Sequence, residues 1–231
     1  MAEPGGRRSA AERQRLVIMV KEPVAGRVKT RLAREIGTAA ALRFYRTSLG
    51  AIVRRLAHDP RWQTILAVAP AAALASRALP AGPPRAAQPA GDLARRMQAG
   101  LAAPLPGRAT PGPVVLIGSD IASVTPRHVA RAFRLLRHQD FVFGPAADGG
   151  FWLVGMRRSP RVREAFPGPV NWSSSTTLAE CLAGLGRARV ALAETLRDTD
   201  SAGDLTALGR AVGRSILPAA GFAEQCDRRA D

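Results

Sequence analysis

Lys21 and Lys29 are the first residues whose type and spacing could do chemistry. They are the two lysines among 34 basic residues, and the short segment around them also holds Gly26, Arg27 and Arg31. Glycine lets backbone N–H groups approach a ligand closely, and the helix expected after this segment would add its N-terminal N–H groups. The segment is therefore predicted to bind phosphate.

Two other interpretations of this loop compete with phosphate binding. A P-loop of the Walker A type needs a glycine immediately before its Lys-Thr pair, whereas Val28 precedes Lys29 and Thr30 here. A solvated basic loop explains the arginines equally well. It explains the lysines less well, because a compact ammonium and a planar guanidinium are not interchangeable at a crowded phosphate.

Two aspartates are candidate ligands for a divalent cation. Asp120 follows the apolar run 114–117 after a Gly-Ser turn, and Asp200 lies beyond a later predicted strand. Mg²⁺ and Mn²⁺ favour carboxylate oxygens together with substrate phosphates. Asp120 could instead cap the turn that follows it. Two carboxylates facing a basic loop are a more specific signal than either aspartate alone, and together they predict a metal–diphosphate site.

A fourth segment, 144–150, ends in Asp148, Gly149 and Gly150. Asp148 is the predicted catalytic residue, either as a general base or as a group that binds the acceptor. The two glycines, together with Trp172, are predicted to border an acceptor or sugar pocket. A tight turn is the alternative, and it would account for the glycines without any ligand.

These residues must be positioned by alternating strands and helices. Buried strands are predicted at 16–20, 62–68, 114–117, 141–143, 151–156 and 188–192. Helices are predicted at 30–36, 38 to about 58 with Thr38 as cap, 71–79, 92–101 with Asp92 as cap, 125–138 and 173–185, with a last one after 201, and 80–91 is predicted as a loop. This alternation predicts a three-layer α/β/α architecture with a mainly parallel, mixed sheet. Because ligands bind beyond the carboxyl ends of such strands, the four segments above are expected at one edge.

The 231 residues, 46% of them hydrophobic, suit one domain over 16–213, a disordered basic arm at 1–15 and a C-terminal tail at 214–231. The apolar run 16–20 is far shorter than the roughly 20 residues that span a membrane. Cys181 and Cys226 have neither zinc-site nor disulfide-framework spacing. A cytoplasmic protein without a membrane span is therefore expected.

The formal net charge of +16 at pH 7 would by itself suggest a nucleic-acid-binding protein. However, 32 of the 34 basic residues are arginines spread along the whole chain, and alanine is abundant too. Such a pattern indicates compositional drift rather than a basic surface. The favoured anion is therefore a nucleotide diphosphate, and a nucleic-acid partner is not expected. An affinity for DNA that falls steeply with salt would reverse this prediction.

Four motifs together carry a family resemblance. Residues 20–32, 117–121, 144–155 and 198–205 resemble, in order, those of bacterial glycosyltransferase-like proteins with the GT-A, or nucleotide-diphospho-sugar transferase, fold. Members of this group are often described as radical-SAM/selenodomain-associated transferases or arsenosugar-biosynthesis glycosyltransferases. More distantly, the chain resembles the phospholactate and molybdenum-cofactor guanylyltransferases. Ala122 and Ser119 depart from the residues usual in the family, but neither removes a ligand.

The resemblance implies that Lys29 and Arg31 contact nucleotide phosphates and that Asp120 and Asp200 hold Mg²⁺ or Mn²⁺. The expected function is metal-dependent transfer of a glycosyl group from a nucleotide-diphosphate sugar to a small acceptor. Nucleotidyl transfer from an NTP, with release of pyrophosphate, is the alternative. The sequence leaves the sugar, the base, the acceptor and the oligomeric state open.

Overall fold

The computed structural model describes residues 14–102, 112–159, 162, 164–198, 201 and 203–206. Its strands are β1 Gln14–Lys21, β2 Trp62–Ala69, β3 Arg85–Ala87, β4 Val114–Gly118, β5 Phe141–Pro145, β6 Phe151–Met156 and β7 Val190–Leu192. Its α helices are α1 Thr30–Ile36, α2 Thr38–Ala57, α3 Leu93–Ala102, α4 Pro126–Leu135 and α5 Thr177–Gly184. Strand β1 includes residues 14 and 15 of the predicted arm, while the rest of that arm and the predicted tail lie outside the described residues.

The strands form one mixed sheet with the order β3-β2-β1-β4-β6-β5-β7. Strand β6 runs antiparallel to its neighbours β4 and β5, and every other neighbouring pair is parallel. Parallel strands joined by helical crossovers need helices on both faces of the sheet. The predicted three-layer α/β fold with a mainly parallel sheet is confirmed.

Alternate residues of β1 enter two separate apolar cores. Leu16, Ile18 and Val20 pack in the core that includes α2 and α4, whereas Val17 packs in the core that includes α3 and α5. The two-residue period of a strand explains this division. Each of these side chains is at most 1% exposed, so each contributes about 1.5–3 kcal/mol of burial free energy. The loop after β1 therefore starts from a firmly held strand.

The segment 80–91 was predicted as a loop, but it also contains a strand. It contains β3, which pairs in parallel with residues 66–68 of β2. The Arg85 guanidinium explains how so short a strand is held, because it donates hydrogen bonds to four carbonyl groups of the preceding segment. These belong to Leu74, Ser76, Leu79 and Pro80, at 2.7–3.2 Å.

Two helix predictions also need correction. The predicted helix 71–79 is a 3-10 helix that ends at Ala75, because Ser76 has an extended backbone conformation; the carbonyls of residues 74 and 76 accept from Arg85. Helix α2 has Gly37 as its N-cap, and Thr38 is its first helical residue rather than its cap. The bounds of α1 agree with the prediction, and Asp92 does cap α3, where its carboxylate accepts from the Arg95 N–H at 2.8 Å.

Within the described part of the chain, no helix combines the length and the apolar character needed to cross a membrane.

Candidate active site

A cavity of about 510 Å³ opens where β1 and β4 end. In open α/β sheets this carboxyl edge is where ligands bind. Polar groups from different elements and three aromatic side chains line it. The polar and charged lining residues are Lys21, Lys29, Thr30, Arg31, Gln88, Arg96, Ser119 and Asp120, and the aromatic ones are Tyr45, Phe151 and Trp152.

The first wall of the cavity is defined by an ion pair. The Lys29 ammonium lies 2.7 Å from a carboxylate oxygen of Asp120, and the two side chains are 4% and 49% exposed. An almost fully buried ammonium is costly to desolvate unless an anion compensates it. The pair therefore holds the two groups that the sequence assigned to phosphate and to metal within direct contact of each other.

Lys29 has an unusual backbone conformation. It is the N-cap of α1 with φ 48° and ψ 46°, in the left-handed region. For a residue with a β-carbon this costs on the order of 1 kcal/mol or more, and such costs concentrate at functional sites. Gly26 also has a positive φ, 74°, which lets the loop turn back before Lys29.

The Tyr45 hydroxyl joins the two loops that carry this ion pair. It donates to the Lys21 carbonyl and accepts from the Lys21 N–H, both at 3.0 Å, and it lies 3.3 Å from the Ser119 hydroxyl. A phenol has one proton to donate, so the Ser119 hydroxyl must be the donor in the third contact. Burial, as the largest cause, raises the pKa of Tyr45 above its ordinary value, which keeps this donor protonated.

Arg55 supports the turn after Asp120 from the same helix, α2. Its guanidinium donates to the carbonyls of Ala122 at 3.0 Å and Val124 at 2.5 Å. Each bond satisfies a main-chain acceptor of this turn. Helix α2 thus positions the β4 loop through Arg55 and both loops through Tyr45.

The second wall of the cavity consists of Gln88 and Arg96. Gln88 follows β3 and is 7% exposed, and Arg96 is half-buried on α3. The Gln88 amide donates to the carbonyls of Val20 at 3.3 Å and Ala67 at 2.7 Å. Its oxygen accepts from Arg96 Nε at 2.9 Å and also from Arg96 Nη2. Within the described residues, Arg96 forms no salt bridge.

The structure brings some of the predicted site residues together. Lys21, Lys29, Arg31 and Asp120 all line the cavity. Gly26 and Arg27 lie in the same loop, are exposed and are not among its lining residues. Asp200 lies outside the described residues, so its role as a second metal ligand stays a prediction.

Asp148 closes a turn. Its carboxylate accepts from the Gly150 N–H at 3.0 Å, the side chain is exposed, and it is not among the residues lining the cavity. Gly149, with φ 88°, approaches the next segment so closely that an added Cβ would lie 2.1 Å from the Ser175 carbonyl oxygen. The Gly149 carbonyl in turn accepts from the Leu178 N–H at 3.1 Å. These contacts are those of a structural turn, and a catalytic role for Asp148 remains a prediction.

Trp172 is not among the residues lining the cavity, but it packs on one that is. It is half-buried and packs edge-to-face on Phe151, with ring centroids 6.4 Å apart, and on Phe166 at 5.7 Å. Phe151 itself lines the cavity. The predicted sugar or acceptor pocket at Trp172 would therefore lie beyond Phe151.

Among the described residues that line the cavity, Asp120 is the carboxylate available to a divalent cation. Within the described residues, no group of three His, Cys, Asp or Glu side chains could hold a metal ion. Mg²⁺ in nucleotide sites commonly takes one or two carboxylates, with phosphate oxygens and water as the other ligands. Asp120, half-exposed beside the cavity, fits that smaller requirement.

Solved structures share this fold. The chain is 26% identical, with a TM-score of 0.76, to a candidate nucleotide-diphospho-sugar transferase from Desulfovibrio desulfuricans G20, covering 95% of this chain and 96% of that one. It is 10% identical, with a TM-score of 0.57, to CMP:2-keto-3-deoxy-manno-octonic acid synthetase in complex with CTP, covering 88% and 99%. It is 8% identical, with a TM-score of 0.53, to 4-diphosphocytidyl-2C-methyl-D-erythritol synthase from Anaerococcus prevotii DSM 20548, covering 88% and 100%.

The first similarity supports the nucleotide-diphospho-sugar transferase superfamily, and the other two show the fold alone. None of the curated proteins is significantly similar to the chain in sequence. Residues 52–174, more than half of the chain, match the family described as "Uncharacterized protein conserved in bacteria (DUF2064)". The chain therefore belongs to this bacterial family.

Proposed function

We propose that the protein is a metal-dependent transferase that moves a glycosyl group from a nucleotide-diphosphate sugar to a small acceptor. The observation that carries this proposal is the Lys29–Asp120 ion pair in a cavity at the carboxyl edge of the sheet. It combines a buried cation for phosphate with a carboxylate suited to a metal. The similarity to the Desulfovibrio protein supports the same class of reaction.

The diphosphate would be bound by the first wall. Lys29 would donate charge-assisted hydrogen bonds to its oxygens, with Lys21 and Arg31 at the mouth of the cavity. When the bond between the anomeric carbon and the diphosphate oxygen breaks, the electron pair stays on the diphosphate. A buried ammonium stabilises that added charge more than the same group in water would.

Different residues are proposed to hold the metal and to bind the acceptor. Asp120, with Asp200 as the proposed second ligand, would hold Mg²⁺ or Mn²⁺, which when bound supplies further neutralisation of the leaving group. The acceptor hydroxyl must lose its proton, and Asp148 is the proposed base. Gly149, Gly150 and Trp172 are proposed to border the acceptor. We also propose that the protein is of the radical-SAM/selenodomain-associated or arsenosugar-biosynthesis subtype.

Nucleotidyl transfer is the second candidate. There an acceptor phosphate attacks the α-phosphate of an NTP, and pyrophosphate carries away the electron pair. The same cavity would serve, and the shared fold of the synthetase that holds CTP favours this alternative.

The test begins with binding. The purified protein is titrated with GDP, UDP, ADP and CDP and their sugar conjugates, with and without Mg²⁺ or Mn²⁺, by calorimetry and thermal shift. We expect metal-enhanced binding of at least one nucleotide. Acceptor screening then separates the candidates, because glycosyl transfer releases a nucleoside diphosphate and nucleotidyl transfer releases pyrophosphate. Absence of binding to every nucleotide would contradict both.

A further inference from the structure

Helix α3 presents a distinct face to the cavity. Leu93, Arg96 and Met97 all line it and are spaced at i, i+3 and i+4, the spacing that places side chains on one side of a helix. Leu93 is 37% exposed, so part of its apolar surface is open to a ligand. The face therefore combines apolar surface with one guanidinium, as a flat ligand with a polar edge would require.

Gln88 determines how the Arg96 guanidinium is oriented. The carbonyls of Val20 and Ala67 can only accept, so they require the NH₂ end of the Gln88 amide to face them. The amide oxygen is thereby directed toward Arg96, where it accepts from two guanidinium nitrogens. A buried glutamine held from both ends in this way fixes the arginine side chain rather than merely contacting it.

Arg96 keeps unused hydrogen-bonding capacity after this contact. A guanidinium carries five N–H donors, and its outer edge offers two in parallel. Gln88 is a neutral partner, and within the described part of the chain no carboxylate forms a salt bridge with Arg96. The half-buried side chain therefore borders the cavity with donors that suit paired acceptor atoms on a ligand.

The sheet order separates these donors from the phosphate site. The Gln88 amide lies against β1 and β2, while Asp120 follows β4 on the other side of β1. With neighbouring strands about 4.8 Å apart, the two walls are separated by roughly two strand spacings. If the diphosphate of a nucleotide lies at Lys29 and Asp120, its nucleoside end reaches toward α3.

We propose that Arg96, held by Gln88, reads the keto edge of the nucleobase, while Leu93 and Met97 pack against its flat face. The inference rests on the proposed function, because it assumes that a nucleotide fills the cavity. The paired donors match the adjacent O6 and N7 acceptors of guanine, and one of them can donate to a keto oxygen of uracil, whereas the amino group of adenine opposes a donor. Arg96 is thus a determinant of base specificity rather than a phosphate ligand.

The test compares wild type with Arg96→Lys by calorimetry, using GDP, UDP, ADP and pyrophosphate, each with Mg²⁺. The variant keeps the charge but loses the paired donors. In wild type we expect GDP or UDP to bind at least about fivefold more tightly than ADP. In the variant this preference should disappear, while pyrophosphate affinity stays the same. The separate GDP and UDP titrations show which keto base is preferred.

Arg95→Lys is the matched control, since Arg95 is the neighbouring, exposed arginine of α3 and does not line the cavity. It should retain the wild-type preference. An equal loss of nucleotide and pyrophosphate affinity in Arg96→Lys would assign Arg96 to phosphate and overturn the inference, as would an unchanged preference. If wild type binds neither nucleotide nor pyrophosphate, the proposed function itself fails, and the base assignment fails with it.

Discussion

The two walls of the cavity each present a cation, but they compensate its charge differently. On the first wall, Lys29 is almost fully buried and paired with the Asp120 carboxylate at 2.7 Å. On the second wall, Arg96 is half-buried and held by the neutral Gln88 amide. One cation is already neutralised within the protein, whereas the other is oriented without being neutralised.

This difference suggests different roles for the two walls. Under the proposed function, the Lys29–Asp120 pair would have to rearrange on binding of phosphate and metal, because each ligand would take one member of the pair as its own partner. The Gln88–Arg96 pair can bind a ligand with no rearrangement, since only part of its donor set is used. The first wall suits a reaction in which charge is redistributed. The second wall suits the recognition of a ligand whose contacts do not change during the reaction.

The largest expected effect comes from breaking the first wall. Asp120→Asn should lower metal-dependent turnover by about 10²–10³-fold, because the metal loses its carboxylate and the leaving group loses stabilisation. Steady-state rates over a series of Mg²⁺ concentrations would measure this. Asp92→Asn is the control, because asparagine caps a helix as well as aspartate does. Unchanged turnover in Asp120→Asn would rule out the metal assignment.

A somewhat smaller effect is expected from the other member of that pair. Lys29→Met should weaken Mg²⁺–pyrophosphate binding by about 10–100-fold, the usual worth of a hydrogen bond to a charged group. Mn²⁺ alone should bind more tightly than to wild type, because Asp120 is no longer neutralised. Calorimetry measures the first effect and electron paramagnetic resonance of Mn²⁺ the second. Arg34→Met, an exposed cation of α1, should change neither. Weaker Mn²⁺ binding in Lys29→Met would contradict the competition between ammonium and metal.

The second wall can be loosened without touching its cation. Gln88→Met should reduce the preference among nucleotides a few-fold and leave Mg²⁺–pyrophosphate affinity intact, since Arg96 loses its orientation but not its charge. It should also lower the free energy of unfolding by about 1–3 kcal/mol, because buried carbonyls lose a donor. Nucleotide titrations and denaturant unfolding would measure the two effects. A preference that survives in a folded variant would show that Gln88 does not orient Arg96.

The smallest effect concerns Tyr45, which ties the first wall together and is the one tyrosine of the chain. Burial raises its pKa in the folded protein, whereas unfolding should restore the ordinary value near 10. Above that pH the folded state keeps a proton that the unfolded state has lost, so stability falls as pH rises. Tyrosinate absorbance in native and denatured protein reports both values, and Tyr45→Phe should remove this part of the fall. Identical titrations would refute the burial argument.

The same contrast explains what could be predicted from the sequence. Lys21 and Lys29 could be singled out because lysine is rare in this chain, and the end of α1 at Ile36 could be predicted because Gly37 follows it. Arg96 could not be singled out in this way, because it is one of 32 arginines.

Gln88 and Tyr45 were missed for a different reason, because their roles depend on tertiary contacts. Gln88 lies in a Pro/Gly-rich segment that looked like a loop, and only the pairing of β3 with β2 brings its amide to the carbonyls of β1 and β2. Tyr45 lies on the buried side of α2, and its hydroxyl reaches Ser119, which is 74 positions away in the chain. No local period encodes such a contact.

The close approach of Gly149 to Ser175 has a consequence for protein engineering. The turn between β5 and β6 and the segment before α5 share a boundary with no room for a methyl group, and the Gly149 carbonyl accepts from Leu178. A chimera that takes residues 146–150 from a relative must therefore take residues 173–178 from the same parent. Recombination libraries should treat the two segments as a single exchangeable block.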